Sequence, residues 1–307
     1  MPDAECLVRR STTVKLVTYS AGGGAAQAGI VIDEMVYPLS GFGLPDSIVG
    51  LLKLEGAGLE QLAEASKSAT GGTPIADVTL LPAIPRPTNT FLLAGNYQSH
   101  IMEDGGGQRL DKSKATPRVF MKPPTAVIGS GDAIEIPEVS DTVDYELEIA
   151  AVIGKSAKNV SVDDAADYIA GYMVYNDVSA RGLNTISHRK PRPLDSLHDW
   201  LIGKWCDTFS AIGPQLITSD EIPDPASLEM SLYVNGTLKQ HSSAGEMIFT
   251  IPEAIAYLSK FTTILPGSII CMGTPGGVGD ATGSYLKPGD HVVAEIEKLG
   301  RLENPVK

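Results

Sequence analysis

The sequence predicts a β-rich α+β fold, with a closed or rolled mixed sheet and few helices. Three observations carry this. Short extended-type apolar runs outnumber helical patterns, most of all after residue 88. The chain carries 32 Gly and 21 Pro in 307 residues, which suits many turns. Hydrophobic content is 43% with only 6% aromatics, so the core should be mainly aliphatic.

The elements follow in order. Residues 1–13 are polar and are expected to be disordered or extended. Residues 14–81 read as a small α+β domain. Lys15–Thr18 is a strand, Gly22–Gly24 a turn, and Ala28–Ile32 with Met35–Tyr37 a hairpin about Asp33-Glu34. The glycine run lacks the spacing and the following helix of a phosphate loop. Two short helices follow, one capped by Asp46-Ser47 and one over Leu59 to Ser68. Pro82, Pro85 and Pro87 mark a linker to a second domain, residues 88–307.

There, Phe91–Ala94, Arg118–Lys122 and Ala133–Pro137 read as strands, and Glu103 to Thr116 as a mobile Gly-rich segment. Asp144 to Gly154 alternates acidic and apolar residues, so a period of two puts Asp144, Glu146 and Glu148 on one face of a strand. Ser161 caps a helix with Ala165, Ala166 and Ile169 inward, closed by Gly171. Tyr172–Tyr175 and Phe209–Pro214 are strands around the basic loop Arg189–Arg192. Asn235-Gly236 is the turn of a hairpin between Leu228–Val234 and Thr237–His241. Thr250-Ile251-Pro252-Glu253 is a capping box for a helix with Ile255, Leu258 and Phe261 inward. Ser268–Gly273 and Val292–Ile296 complete the strands.

Charge and composition exclude several classes. A formal charge of −13 and a pI of about 4.8 argue against nucleic acid or an anionic membrane as partner. An anionic substrate would need a local cation. Cys6, Cys206 and Cys271 are too dispersed for a zinc site or a disulfide framework. With no apolar leader and no membrane-length apolar run, the expectation is a cytoplasmic protein with reduced thiols.

Several residues could carry chemistry, each with a plainer alternative. Glu146 and Glu148 are either a solvated face of an edge strand or oxygen ligands of a divalent cation. Asp177 is either a turn residue or a third ligand. His100 and Glu103, at i and i+3, are either surface groups or a general base with its orienting carboxylate. Lys204 is either a surface lysine or a charge partner and proton donor beside the carboxylates. His188, His198, His241 and His291 have no metal-ligand spacing.

Together these segments resemble the fumarylacetoacetate hydrolase family, from about Thr88 to Val306. The resemblance rests on Gly95-Asn96-Tyr97 with His100-x-x-Glu103, Met121-Lys122-Pro123-Pro124, and Asp144-Tyr145-Glu146-Leu147-Glu148. It rests further on Asn176-Asp177-Val178-Ser179-Ala180-Arg181, Gly203-Lys204, and Gly273-Thr274-Pro275-Gly276-Gly277-Val278-Gly279, all in the family's order. It implies a pseudo-symmetric β-roll catalytic domain, dimeric, with a small N-terminal domain like that of bacterial members. It implies a divalent metal, Mg²⁺ or Mn²⁺ with Ca²⁺ as a further candidate, held by Glu146, Glu148 and Asp177. His100 and Glu103 would activate water on a segment that closes over substrate, Lys204 would lie near the metal, and Thr274 would contact substrate. Lys122, Arg181 and Asn184 are further substrate-binding candidates.

The chain departs from the family pattern at Gly182, where Asp is usual, and at Asn184, where Gln is common. With the 185–201 segment, these departures bear on specificity. The implied activity is hydrolysis of a C–C bond in an acylpyruvate or other β-diketo acid. The alternative is a decarboxylase or isomerase of 2-oxo or unsaturated 2-hydroxy diacids on the same metal site. A non-catalytic binding role is the third reading. The expected substrate is a small anionic 2-oxo acid, with no nucleic acid, no membrane, and a homodimeric assembly.

Overall fold

A computed structural model describes residues 15–103, 109–185 and 188–307. The expectations for residues 1–13, for Cys6 and for Gly105–Gly107 lie outside the described residues. The fold is α+β and strand-rich, as expected, but its sheets are open rather than closed. Among the described residues the largest sheet has 13 strands, and its main path runs from Thr73–Pro74 at one edge to Arg118–Met121 at the other.

The centre of that sheet is the antiparallel pair Leu147–Ile153 and Ile169–Asp177, buried along its whole length. A strand covered on both faces must be apolar nearly throughout, and most of both segments is. Ile269–Cys271 follows next to it, then Thr90–Ala94 in parallel, then Arg118–Met121. On the other side Gln215–Thr218 pairs with Lys15–Ala21, so the N-terminal hairpins extend the same sheet. A second sheet of four antiparallel strands includes the hairpin about Asn235-Gly236. Those two residues have φ of 51° and 75°, which the left-handed turn requires.

The capping box at Thr250 and Glu253 forms and starts the helix Ile251–Phe261. Ile255 and Leu258 point inward, but Phe261 is exposed. The helix expected after Ser161 is only a 3₁₀ turn, Ala165–Tyr168. Ile169 and Gly171 belong instead to the central strand, where a Cβ on Gly171 would come within 2.1 Å of Ile217 O. The local cap does form between Ser161 and Asp164. Strand pairing of the β-branched and aromatic run after it outweighs helix propagation. Ala133–Pro137 is not a full strand, since Ile134 makes an isolated bridge to Val306. A helix at Asp195–Ile202 and strands at Gln215–Thr218 and Gly300–Pro305 were not anticipated. No helix of the described residues is long and apolar enough to cross a membrane.

Candidate active site and metal centre

The expected acidic strand breaks in two. Val143–Asp144 pairs with Ser179–Ala180, and Leu147–Ile153 pairs with the central strand. Tyr145 and Glu146 lie between the two pairings. Glu146 stays in register through side chain and backbone: its N–H donates to Asn176 Oδ1 (2.9 Å), and its carbonyl accepts from Asp177 N (2.8 Å). That cross-strand link sets Asp177 beside Glu146, and the period of two adds Glu148. One oxygen from each of the three lies within 4.8 Å of the others, and all three residues are buried.

Three carboxylates this close in a dry site repel strongly and need cations. Lys204 Nζ bridges Glu146 Oε2 (2.8 Å) and Asp177 Oδ2 (2.7 Å). Burial works against its ammonium, but Asp177 and Glu146 outweigh this and raise its pKa. Lys122 Nζ donates to Asp177 Oδ1 (2.6 Å) and to the carbonyls of Val178 and Phe209. Burial dominates there, and its pKa is lowered despite Asp177. Arg181 donates to Asp144 Oδ2 through Nε (2.9 Å) and to Glu146 Oε1. Burial opposes ionisation of Glu146 as well, yet Lys204, Arg181 and His100 hold its carboxyl well below the usual range.

Glu148 differs. It accepts a hydrogen bond from Gly273 N (2.7 Å), while burial, then Asp177 and Glu146, push its pKa well above the ordinary carboxylate value. A buried carboxylate set with one member in that position suits a hard divalent cation, which favours oxygen ligands. Glu146, Glu148 and Asp177 would hold it.

Asp144, unassigned in the sequence reading, proves to be a hub. Its carboxylate accepts from Tyr145 N, Gly279 N and Asp280 N as well as from Arg181. The loop from Gly273 to Asp280 thus gives backbone N–H groups to three acids: Gly273 to Glu148, Gly277 to Glu103, and Gly279 and Asp280 to Asp144. Only glycine permits that approach at two of these points. Gly273 and Gly277 have φ of 81° and 101°, and a Cβ on Gly277 would meet Lys239 O at 2.1 Å. Gln240 ties the loop to the metal strand. It accepts from Leu147 N and donates to Thr274 Oγ1 (2.8 Å) and Pro275 O.

A cavity of about 820 Å³ reaches this cluster at Glu146, with His100, Glu103, Arg181, Lys204 and Thr274 also in its wall. His100 and Glu103 sit on the helix Gln98–Glu103. His100 Nδ1 is buried without a hydrogen-bond partner among the described residues, 3.8 Å from Glu103 Oε2. At that distance the two attract electrostatically but are not hydrogen-bonded. Glu103 is fixed instead by Gly277 N (2.6 Å).

Two expected substrate contacts do not face this cavity. Lys122 is enclosed by Asp177 and two carbonyls and is not part of the wall. Asn184 is exposed outside it, with its backbone N–H on Val139 O. Sequence reasoning missed Gln240, Arg118 and Trp200. Gln240 reaches the site from the second sheet, and Trp200 from the unanticipated helix, so neither had a local signal.

Residues 89–307 match the family described as Fumarylacetoacetate (FAA) hydrolase C-terminal. The chain is 37% identical over 280 residues to a mitochondrial oxaloacetate tautomerase of Xenopus laevis, covering 91% of this chain and 83% of that protein. It superposes with a TM-score of 0.75 and 28% identity on maleylpyruvate hydrolase from Sphingobium sp. SYK-6 in complex with manganese(II) and pyruvate, covering 95% and 98% of the two chains. Against 2-hydroxyhepta-2,4-diene-1,7-dioate isomerase from Mycobacterium marinum the TM-score is 0.70 at 29% identity, covering 96% and 98%.

Proposed function

The chain belongs to the fumarylacetoacetate hydrolase family, and from that premise we propose that it is a divalent-metal enzyme that moves a proton at the carbon beside the 2-oxo group of a small 2-oxo acid. The observation that carries this reading is one cavity whose wall holds both Glu146 of the Glu146, Glu148 and Asp177 cluster and His100, whose Nδ1 is buried and has no hydrogen-bond partner among the described residues. A divalent cation on those carboxylates would act as a Lewis acid and lower the energy of an enolate. His100 takes the proton, and Glu103, fixed by Gly277 N–H, stabilises the imidazolium that results. Lys204, held between Glu146 and Asp177, offsets negative charge that develops in the cavity. Returned to oxygen, the proton completes a keto–enol tautomerisation, the activity named for the Xenopus laevis relative.

The second reading is the hydrolysis expected from the sequence, in which His100 takes its proton from water that attacks the distal carbonyl of an acylpyruvate. The His100 and Glu103 pair favours it, as does the likeness to a maleylpyruvate hydrolase. Proton NMR in D₂O with Mg²⁺ or Mn²⁺ separates the two. Enzyme-dependent keto–enol exchange of oxaloacetate supports the first, and pyruvate released from an acylpyruvate supports the second. Loss of CO₂ points to decarboxylation. His100→Ala is expected to lower turnover by about 10²–10⁴-fold while leaving calorimetric metal affinity unchanged. Undiminished turnover would sink the role given to His100. The homodimer expected from the resemblance is part of this reading, and light scattering of the purified protein tests it.

A further inference from the structure

The cations at the cavity are not equivalent. Arg181 is engaged by Asp144 and Glu146, and Lys204 by Glu146 and Asp177. Each is already balanced by buried acids. Arg118 also lines the cavity, yet among the described residues its guanidinium makes no hydrogen bond or ion pair. It opens the edge strand Arg118–Met121, in register with Ala94, and its side chain is exposed. The acid nearest in role, Asp280, also lines the wall but accepts from Tyr285 OH at 2.6 Å.

Arg118 stands where the cavity meets a second, mostly apolar one of about 670 Å³, lined by Val119, Phe120, Leu197 and Trp200. Phe120 and Trp200 meet edge to face at 4.9 Å and belong to both walls. A ligand with its 2-oxo acid end at the carboxylate cluster would therefore share one cavity with the apolar Phe120 and Trp200 and with a guanidinium that is unengaged among the described residues. On a chain with a net charge of −13, a second negative charge on the ligand needs such a group. Guanidinium geometry suits a carboxylate, which it can hold with two parallel hydrogen bonds.

We propose that Arg118 binds a second carboxylate at the far end of the substrate, which makes the enzyme selective for 2-oxo diacids over 2-oxo monoacids. This rests on the 2-oxo acid reading of the site, but binding tests it separately from turnover. The probes are 2-oxoadipate and 2-oxohexanoate, a diacid and a monoacid of equal chain length. Each is titrated by calorimetry into the protein with Mg²⁺ or Mn²⁺. The wild type is expected to bind the diacid at least about tenfold more tightly, which is about 1.4 kcal/mol. Arg118→Gln should lose that preference and keep its monoacid affinity within about twofold, and Arg118→Lys should retain part of the preference. Equal affinity of the wild type for both acids overturns the proposal, as does a preference that persists in Arg118→Gln. A diacid preference without oxaloacetate exchange or acylpyruvate cleavage would overturn the proposed reaction and leave Arg118 its role.

Discussion

The floor and the outer wall of the cavity are built in opposite ways. In the floor, Asp144, Glu146, Glu148 and Asp177 are buried, and every one accepts hydrogen bonds from a neighbouring strand, a cation or the glycine loop. In the wall, among the described residues, the Arg118 guanidinium is exposed and unengaged and His100 Nδ1 has no hydrogen-bond partner, while Leu197, in the wall of the adjoining cavity, is half exposed. A tightly bonded floor holds charges at fixed positions without reorganisation, which is what an enolate needs. A loosely bonded wall can change its side chains at small cost in stability.

Removing one charge from each region tests the contrast most directly. Asp177→Asn leaves Lys204 and Lys122 short of a buried counter-charge. Breaking a buried pair in this way costs about 3–5 kcal/mol, and urea unfolding should show it. Arg118→Gln in the wall should change stability by less than about 0.5 kcal/mol. Comparable losses in the two variants would break the distinction between floor and wall.

A smaller effect separates the cation from the rest of the floor. The Glu148 pKa is raised in the folded chain above its ordinary 4.5. Below 4.5 both states hold the proton, and this group makes no difference to stability. As pH rises toward the raised folded value, only the unfolded chain releases its proton, and the metal-free protein loses stability. A divalent cation needs the ionised carboxylate and offsets that loss. The rise in Tm on adding Mg²⁺ or Mn²⁺ should therefore be small near pH 5 and larger near pH 8. In Glu148→Gln the metal-free protein should be at least as stable as wild type at pH 8, and the metal-dependent rise should disappear. A rise independent of pH would place the cation elsewhere.

The smallest effect is expected at Leu197, 50% exposed on the helix Asp195–Ile202 and in the wall of the second cavity. Leu197→Ser should leave Tm within about 2 °C, a change of less than about 0.5 kcal/mol. A larger drop would mean that the wall is as tightly packed as the floor.

Much of the floor was legible in the sequence because its signals are local. Alternation from Asp144 to Gly154 put Glu146 and Glu148 on one face, and the order of motifs added Asp177, Lys204, His100 and Glu103. The Thr250 capping box and the Asn235-Gly236 turn were equally local, and both formed. What the sequence could not decide depends on partners distant in the chain. Asp144 gained its role only when the loop at Gly279, 135 residues away, brought its N–H to the carboxylate. Lys122 sits in a matching motif and Asn184 at a departure from one, and packing puts the first inside a cage of acceptors and the second outside the cavity. Arg118 had no motif, and its position on an edge strand beside Trp200 follows from sheet order. Period and capping are properties of a few neighbouring residues, whereas which charges are neutralised and which stay open is fixed by segments that meet only in the folded chain.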